Sequence, residues 1–311
     1  MASTSAAETS SATKEPPNWL KMPEELTVNI FHRLCTSEIL NRARKVCTPW
    51  RRICKDPALL IAIDMIKPVD DWSRDYTIET LTKQAVHLSC GELIDFSIEG
   101  FGTDDLHDHV LLRSNKLNRL CLTNCYNMTS SGLSQAVKKV PQLEKLHLTY
   151  ISTKAEDIEV IGWNCPRLKS FILAKEYFSE PFIESNKDAL AIANSMPELR
   201  HLQLSNSNIT NDGLQAILDG CHYLESLDVR MCYNLDLHGN LGGLCMERIK
   251  DFKHDSTENS RIHPQIHDYD YLDDLDFPRR SYVDDYSEGD SLEDLIRQLE
   301  YEGIVRYRRF R

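Results

Sequence analysis

A short apolar pattern recurs through the middle of the chain. It places apolar residues at a first position and again three and five positions later, as at Leu93, Phe96 and Ile98. Alternate residues of a strand share one face, so each copy predicts a short strand with one buried face. Six copies follow one another, with steps of 24, 26, 25, 31 and 25 residues. Their first residues are Leu93, Leu117, Leu143, Leu168, Leu199 and Leu224.

The segments between these strands follow a helical period instead. In four consecutive units, apolar or small residues occupy positions i, i+3, i+4 and i+7, and the last lies three residues before the next strand pattern. Strand and helix therefore alternate at a fixed spacing, which is the signature of leucine-rich repeats. We predict an α/β solenoid with parallel strands on its concave side and helices on its convex side. The helix positions are Leu133, Ala136, Val137 and Val140; Ile158, Ile161, Gly162 and Cys165; Ala189, Ile192, Ala193 and Met196; and Leu214, Ile217, Leu218 and Cys221.

The borders of the solenoid are less regular. The 31-residue step carries an insertion at residues 175–187, which we predict to project as a loop because insertions in solenoids lie outside the stack. After Val229 the pattern fades, and residues 235–252 are interpreted as a closing cap. We therefore assign residues 67–252 to the repeats with their cap, and expect residues 67–80 to connect them to the preceding segment.

Residues 19–66 predict a compact unit of three short helices. Pro23 suits a helix start, and Ser37 and Thr48 suit the N-caps of the second and third helices. Asp56 and Pro57 are expected to end the third helix. Each helix has one apolar face. These faces carry Leu26, Ile30 and Leu34 in the first helix; Ile39, Leu40, Ala43 and Val46 in the second; and Trp50, Ile53 and Cys54 in the third.

The stretch "VCTPWRRICKDP" at residues 46–57 could be a metal site, a nucleic-acid contact or packed helix. No further metal ligands lie near its two cysteines at suitable spacing, so we predict no metal site. Cys47 and Trp50 are expected to pack between helices, while Arg51 and Arg52 face outward. The chain's ten cysteines form no CxxC pair. We interpret most of them as reduced core thiols of a protein of the nucleus or cytoplasm.

Net charge and composition narrow the classes of partner. The formal net charge of −12 argues against a general nucleic-acid binder, because phosphate binding needs a surplus of Lys and Arg. No run of about twenty apolar residues occurs, so no membrane-spanning helix is expected. Residues 1–18 and most of residues 253–311 lack the aliphatic content to fold, and we predict disorder there.

The acidic, tyrosine-rich tail leaves several interpretations open. Residues 255–311 hold fifteen Asp and Glu against eight Arg and no Lys. The segment could simply solvate the protein, bind a basic partner, fold back on a basic face, or carry phosphorylation sites. Its final "VRYRRFR" could contact RNA by charge and stacking, although the acid upstream disfavours this.

The three-helix segment resembles the F-box. The resemblance rests on Pro23, the two acids after it, and then Leu26, Ile30, Leu34, Leu40, Arg42, Val46, Cys47, Trp50, Arg51 and Pro57. Met22 stands where that family commonly has Leu, and "PALLIAIDM" stands where it commonly has Trp. With the repeats, residues 19–252 resemble plant-type F-box/leucine-rich-repeat proteins. The resemblance implies a non-catalytic substrate-recognition subunit of a cullin–RING, SCF-type E3 ubiquitin ligase, docked on a Skp-type adaptor.

Two sets of binding residues follow from this resemblance. For the adaptor, the apolar helix faces offer Pro23, Leu26, Ile30, Leu34 and Leu40. For a protein substrate, the outward strand positions form a polar surface of mixed charge, which suits a protein better than an apolar small molecule. The candidates there are Arg119, Lys145, His147, His201, Gln203, Asp228 and Arg230. His147 and His201 are interpreted as surface residues, two units apart and too distant to share a metal.

Two other functions are compatible with the sequence. The repeats could serve as a binding scaffold whose altered F-box no longer joins a ligase, and adaptor binding would separate these two cases. An enzyme would need a reactive motif, and no Gly-rich phosphate loop, Gly-x-Ser-x-Gly or His-Glu-x-x-His pattern occurs. We therefore predict no catalytic residue, cofactor or metal.

Overall fold

The computed structural model describes residues 22–67, 75–175 and 185–255. The predictions for residues 1–18, for the insertion beyond Lys175 up to residue 184, and for the tail from residue 256 lie outside the described residues. Within them, eight parallel strands form one sheet in sequence order. The strands are β1 Ala62–Ile66, β2 Asp95–Glu99, β3 Arg119–Thr123, β4 Lys145–Thr149, β5 Ser170–Ala174, β6 His201–Ser205, β7 Ser226–Asp228 and β8 Asp251–Lys253.

Helices cover one face of this sheet and also form the N-terminal unit. The N-terminal helices are α1 Glu24–Phe31, α2 Thr36–Glu38, α3 Arg44–Val46 and α4 Thr48–Ile53, with a π-helical segment Ile39–Ala43 joining α2 to α3. The repeat helices are α5 Asp75–Leu88, α6 Asp104–Arg113, α7 Ser130–Ala136, α8 Ala155–Asn164, α9 Lys187–Ser195, α10 Asn211–Gly220 and α11 Asn240–Arg248. The predicted α/β solenoid is therefore confirmed.

The strand leucines stack in register and form the core. Leu120, Leu146, Phe171 and Leu202 are Cα partners on neighbouring strands, and each is at most 2% exposed. Neighbouring residues of this set lie on strands about 4.8 Å apart, the usual distance between strands. The predicted helix positions close this core from the other side, and all are buried except the half-buried Ala193. One unit could not bury both faces, so each depends on its neighbours.

The repeat array extends one unit further at its start than the sequence pattern suggested. β1 pairs with β2 in parallel, so it belongs to the sheet although we had placed it in the N-terminal unit. Leu60, Ile63 and Met65 have the strand spacing and are buried. The predicted connection at residues 67–80 is also shorter than expected, because α5 already begins at Asp75.

The array also ends in a repeat of the same plan. The predicted cap at residues 235–252 contains α11 and most of β8, and β8 pairs with β7 in parallel. Ile249 and Phe252 repeat the apolar spacing of the earlier strands, with Ile249 buried and Phe252 partly buried against the core. The sheet therefore continues to Lys253.

Two helix starts in the N-terminal unit differ from the prediction by one or two residues. The second helix begins after Cys35 rather than Ser37, because the Glu38 carboxylate reaches back and accepts a hydrogen bond from the Cys35 backbone N–H at 3.0 Å. Thr48 is the first residue of α4 and the extended Cys47 precedes it. Pro49 remains in the first turn, where its missing N–H costs little.

The N-terminal unit and the solenoid share part of their cores. Leu40 belongs to the core of the repeats, while Leu88 of α5 packs against both cores. The Thr36 hydroxyl accepts a hydrogen bond from the Asp64 backbone N–H in β1 at 3.2 Å. The two units are thus joined by packing and by a backbone contact in addition to the connecting chain.

A carboxylate bridge between two repeats is expected to add measurable stability. Asp104 accepts hydrogen bonds from the Thr129 backbone N–H at 2.8 Å and from its hydroxyl at 2.7 Å. Asp104→Ala should lower the free energy of unfolding by about 1–2 kcal/mol, because it removes two hydrogen bonds to a carboxylate and water replaces them only in part. Denaturant unfolding measures this. Asp108→Ala is the control, since Asp108 pairs only with the exposed Lys139; equal losses in both variants would contradict the prediction.

Candidate functional site

Two surfaces carry the predicted binding residues. The first, here called the F-box face, consists of Pro23, Leu26 and Ile30. Pro23 precedes α1, and its carbonyl accepts hydrogen bonds from the backbone N–H groups of Leu26 and Thr27 at 3.1 and 3.2 Å. Leu26 is 52% exposed, Pro23 is exposed and Ile30 is half-buried. Leu26 and Pro23 therefore form a small apolar surface that no other described residue covers.

The other two predicted adaptor residues lie inside the protein. Leu34 is 4% exposed and Leu40 is 2% exposed. α1 ends at Phe31, so Leu34 leaves the helical face that carries Leu26 and Ile30 and turns into the core. Neither leucine offers apolar surface in this conformation. Contact with an adaptor stays a prediction for Pro23, Leu26 and Ile30. Leu34 belongs to the core of the same unit.

An aromatic pair holds the F-box face in place. Phe31 and Trp50 meet edge to face, with ring centroids 5.0 Å apart and an interplanar angle of 81°. This geometry is the favourable one for aromatic quadrupoles. Sequence reasoning found Trp50 but missed Phe31, although Phe31 follows Thr27 by four positions and both are buried. The four-residue spacing of Thr27 and Phe31 indicates a second face of α1, which packs into the core.

The stretch around Trp50 is packed helix, as predicted. Arg51 and Arg52 are exposed, and Arg52 pairs with Glu24 of α1 at 2.6 Å. Burial raises the pKa of the Cys54 thiol to about 11, so this cysteine stays protonated and unreactive near neutral pH. Within residues 22–67, 75–175 and 185–255, no group of three or more His, Cys, Asp or Glu is placed to hold a metal.

The second surface, here called the concave face, consists of the outward side chains of β2 to β7. The strand register arranges them in rows. One row runs through Asp95, Arg119, Lys145, Ser170, His201 and Ser226, and the next through Ser97, Cys121, His147, Ile172, Gln203 and Asp228. Arg119, Lys145 and His147 therefore lie on adjacent strands, while His201 and Gln203 lie two strands beyond β4.

Arg119 is held by its neighbour in the row. Its guanidinium donates to the Asp95 carboxylate at 2.9 Å, and only 13% of the Arg119 side chain is exposed. Burial raises the pKa of Asp95, and the positive charge of Arg119 acts against that increase. The pair is therefore a fixed, partly buried ion pair, and breaking it would leave a charge poorly solvated.

His147 is buried, contrary to its interpretation as a surface residue. It is 8% exposed, and burial, with smaller contributions from Arg119 and Lys145, lowers its pKa to about 3. Its Nε2 lies 3.5 Å from the Ser170 hydroxyl. The imidazole is thus neutral near pH 7 and does not add to the positive charge of Arg119 and Lys145 in the neighbouring row. His201, in contrast, is exposed as predicted.

The last two candidates bind each other. The Arg230 guanidinium donates to both carboxylate oxygens of Asp228, with distances from 2.7 to 3.1 Å, and the Arg230 backbone N–H donates to the same group. Gln203 donates to the Ser205 hydroxyl at 3.3 Å. The most accessible predicted residues on the concave face are therefore Lys145 and His201, both classed as exposed.

No helix in the described ranges is both long and apolar enough to cross a membrane.

Two protein families match parts of this chain. The F-box-like family matches residues 19–64, and the leucine-rich repeats of an FBD-associated F-box protein match residues 181–240. The first match covers α1 to α4 and the first three residues of β1. The second covers the repeats from the insertion to the start of α11.

Individual proteins resemble the chain over most of its length. The F-box protein SKIP19 of Arabidopsis thaliana is 43% identical over 263 residues, which cover 85% of this chain and 84% of that protein. The putative F-box/LRR-repeat protein 23 of the same plant is 44% identical over 243 residues, or 77% of this chain and 54% of that protein. The chain thus spans about half the length of the latter.

Among solved structures, the crystal structure of the Rad7 and Elc1 complex in yeast contains a similar chain. It is 12% identical, covers 70% of this chain and 78% of its own, and has a TM-score of 0.35.

Proposed function

Because this chain belongs to the F-box/leucine-rich-repeat protein family, we propose that it is the substrate-recognition subunit of an SCF-type E3 ubiquitin ligase. Proteins with an F-box and leucine-rich repeats typically have this role. In this proposal the F-box docks on a Skp-type adaptor, and through it on the cullin–RING ligase. The concave face binds a protein substrate. We propose that the protein works in the nucleus or the cytoplasm.

The observation that supports adaptor docking best is the F-box face. An exposed leucine with a proline and a half-buried isoleucine beside it provides the apolar centre that stable protein interfaces need. Fully burying an aliphatic side chain contributes roughly 1.5–3 kcal/mol gross. Association costs about 4 kcal/mol or more, so further contacts around this face have to contribute to a stable complex.

The proposed role needs no catalytic side chain in this chain. A recognition subunit raises the effective concentration of a substrate lysine near the activated ubiquitin that another subunit carries. Two cysteines of the repeats fit this role, since burial raises the pKa of Cys121 and of Cys165 to about 12. A thiolate nucleophile would require the opposite shift.

Direct binding to a purified Skp-type adaptor tests the proposal. We expect wild-type protein to bind and Leu26→Asp to lose about 100-fold in affinity, because the variant would place a carboxylate in an apolar contact. Leu26 is half exposed, so this variant should keep its fold, which circular dichroism checks. Calorimetry or interferometry measures the affinity.

Leu112→Asp is the matched control, because Leu112 is a 67% exposed leucine on α6, away from the F-box. It should bind like wild type. Failure of a folded wild-type chain to bind any Skp-type adaptor would overturn the ligase assignment and leave the repeats as a binding scaffold. Equal losses in both variants would show that Leu26 has no special role.

A further inference from the structure

A strongly basic groove lies where the F-box meets the first repeat, and the binding sites discussed above do not include it. It has a volume of about 440 Å³ and is lined by Arg44, Lys45, Arg51 and Lys55, with Leu40 and Leu81 between them. Four cations and, among the described lining residues, no acid face this space. The chain as a whole has a net charge of −12, so the groove is a local reversal of charge.

Helix geometry explains why the cations converge. Arg44 and Lys45 lie together on α3, while Arg51 and Lys55 are four positions apart on and just after α4 and so share one side. The Arg51 Nε donates to the Arg44 carbonyl oxygen at 3.2 Å, which holds its guanidinium beside the first residue of α3. Like charges this close repel one another, and an anionic occupant would relieve that repulsion.

We propose that the acidic segment at residues 268–276 of the same chain occupies this basic groove. That segment reads "DYDYLDDLD", with five aspartates and no basic residue. Its tyrosines and leucines can contact Leu81, the half-buried apolar residue of the groove. The charges of the segment and the groove are therefore complementary, and docking within one chain avoids the entropy lost in association of two molecules.

The chain between β8 and the acidic segment can extend further than the sheet is wide. The described part ends at Asp255, directly after β8. Seven inter-strand spacings of about 4.8 Å place β1 roughly 34 Å from β8. The thirteen residues from position 255 to position 268 can extend over about 43–47 Å, and each further residue of the segment adds to that reach.

Carbodiimide cross-linking of the full-length protein tests this docking. The reagent joins a carboxylate to a lysine amine only when they touch, and peptide mass spectrometry locates the bond. We expect aspartates of residues 268–276 to link to Lys45 and Lys55, and not to Lys138, an exposed lysine just after α7. Arg51→Glu should reduce these links about fivefold, since it removes one cation and adds an anion.

Arg167→Glu is the matched control, because Arg167 is an exposed arginine distant in sequence from the groove; it should leave the links unchanged. A mixture of nitrogen-14 and nitrogen-15 chains separates links within one molecule from links between molecules. Links to Lys138 as abundant as those to Lys45, no effect of Arg51→Glu, or links formed mainly between differently labelled chains would each overturn the proposal.

Discussion

Trp50→Ala is expected to unfold the F-box helices while the repeats remain folded. Trp50 is 7% exposed and packs edge to face against Phe31. Truncating a buried tryptophan costs about 3–5 kcal/mol. The F-box core contains few side chains to absorb that loss, whereas the solenoid core extends through all eight strands. Small cores of this kind have little stability to spare.

Amide hydrogen exchange separates the two parts of the chain. In Trp50→Ala, backbone amides of α1 and α4 should lose protection, while those of β3 to β6 should keep theirs. Affinity for a Skp-type adaptor should fall with the same variant. Arg33→Ala is the control in the same unit, since Arg33 is exposed. Uniform loss of protection along the whole chain would show that the F-box and the solenoid unfold as one unit.

Gly220→Ala should destabilise the solenoid through a steric clash between two helices. The added methyl group would lie 2.7 Å from the Cα of Ala193 and closer still to its carbonyl oxygen. These are backbone atoms, so α9 and α10 would have to move apart. Overpacking of this kind costs about 1–3 kcal/mol or more. Thermal and denaturant unfolding of the purified variant measure the loss.

Gly243→Ala provides the opposite expectation with the same chemical change. Gly243 lies in α11, and nothing stands within 4 Å of the position that a methyl group would take. Alanine should therefore stabilise the helix by about 0.5–1 kcal/mol. If both variants changed stability in the same direction, close approach of α9 and α10 at Gly220 would not be the reason for a glycine there.

The repeats were predictable because each unit carries its own evidence. Leu146 and Leu148 specify a strand, Leu214 and Ile217 specify a helix, and the spacing between them specifies the stack. The first unit was missed because Leu60, Ile63 and Met65 follow directly on the F-box pattern, and the step to Leu93 is 33 residues. β1 was therefore missed for two reasons: the step to the next strand is longer than the other steps, and its sequence follows directly on the F-box pattern.

The binding surfaces were less predictable, because they depend on contacts between units. Leu34 has the same four-residue spacing as Leu26 and Ile30, yet α1 ends before it and the side chain turns inward. The burial of His147 comes from neighbours on adjacent strands, which no local pattern encodes. The ion pair between Asp228 and Arg230 joins residues that are close in sequence, but only the turn after β7 brings the two charged groups together.

The shared packing of Leu40 and Leu88 has a mechanical consequence under the proposed function. A flexible tether would let a bound protein tumble relative to the ligase, so that any of its lysines could meet the activated ubiquitin. Here Leu40 of the F-box lies in the core of the repeats and Leu88 packs against both cores, and this packing restricts motion between the F-box and the repeats. The curvature and length of the repeat array would then determine which lysines of a bound substrate can reach the activated ubiquitin.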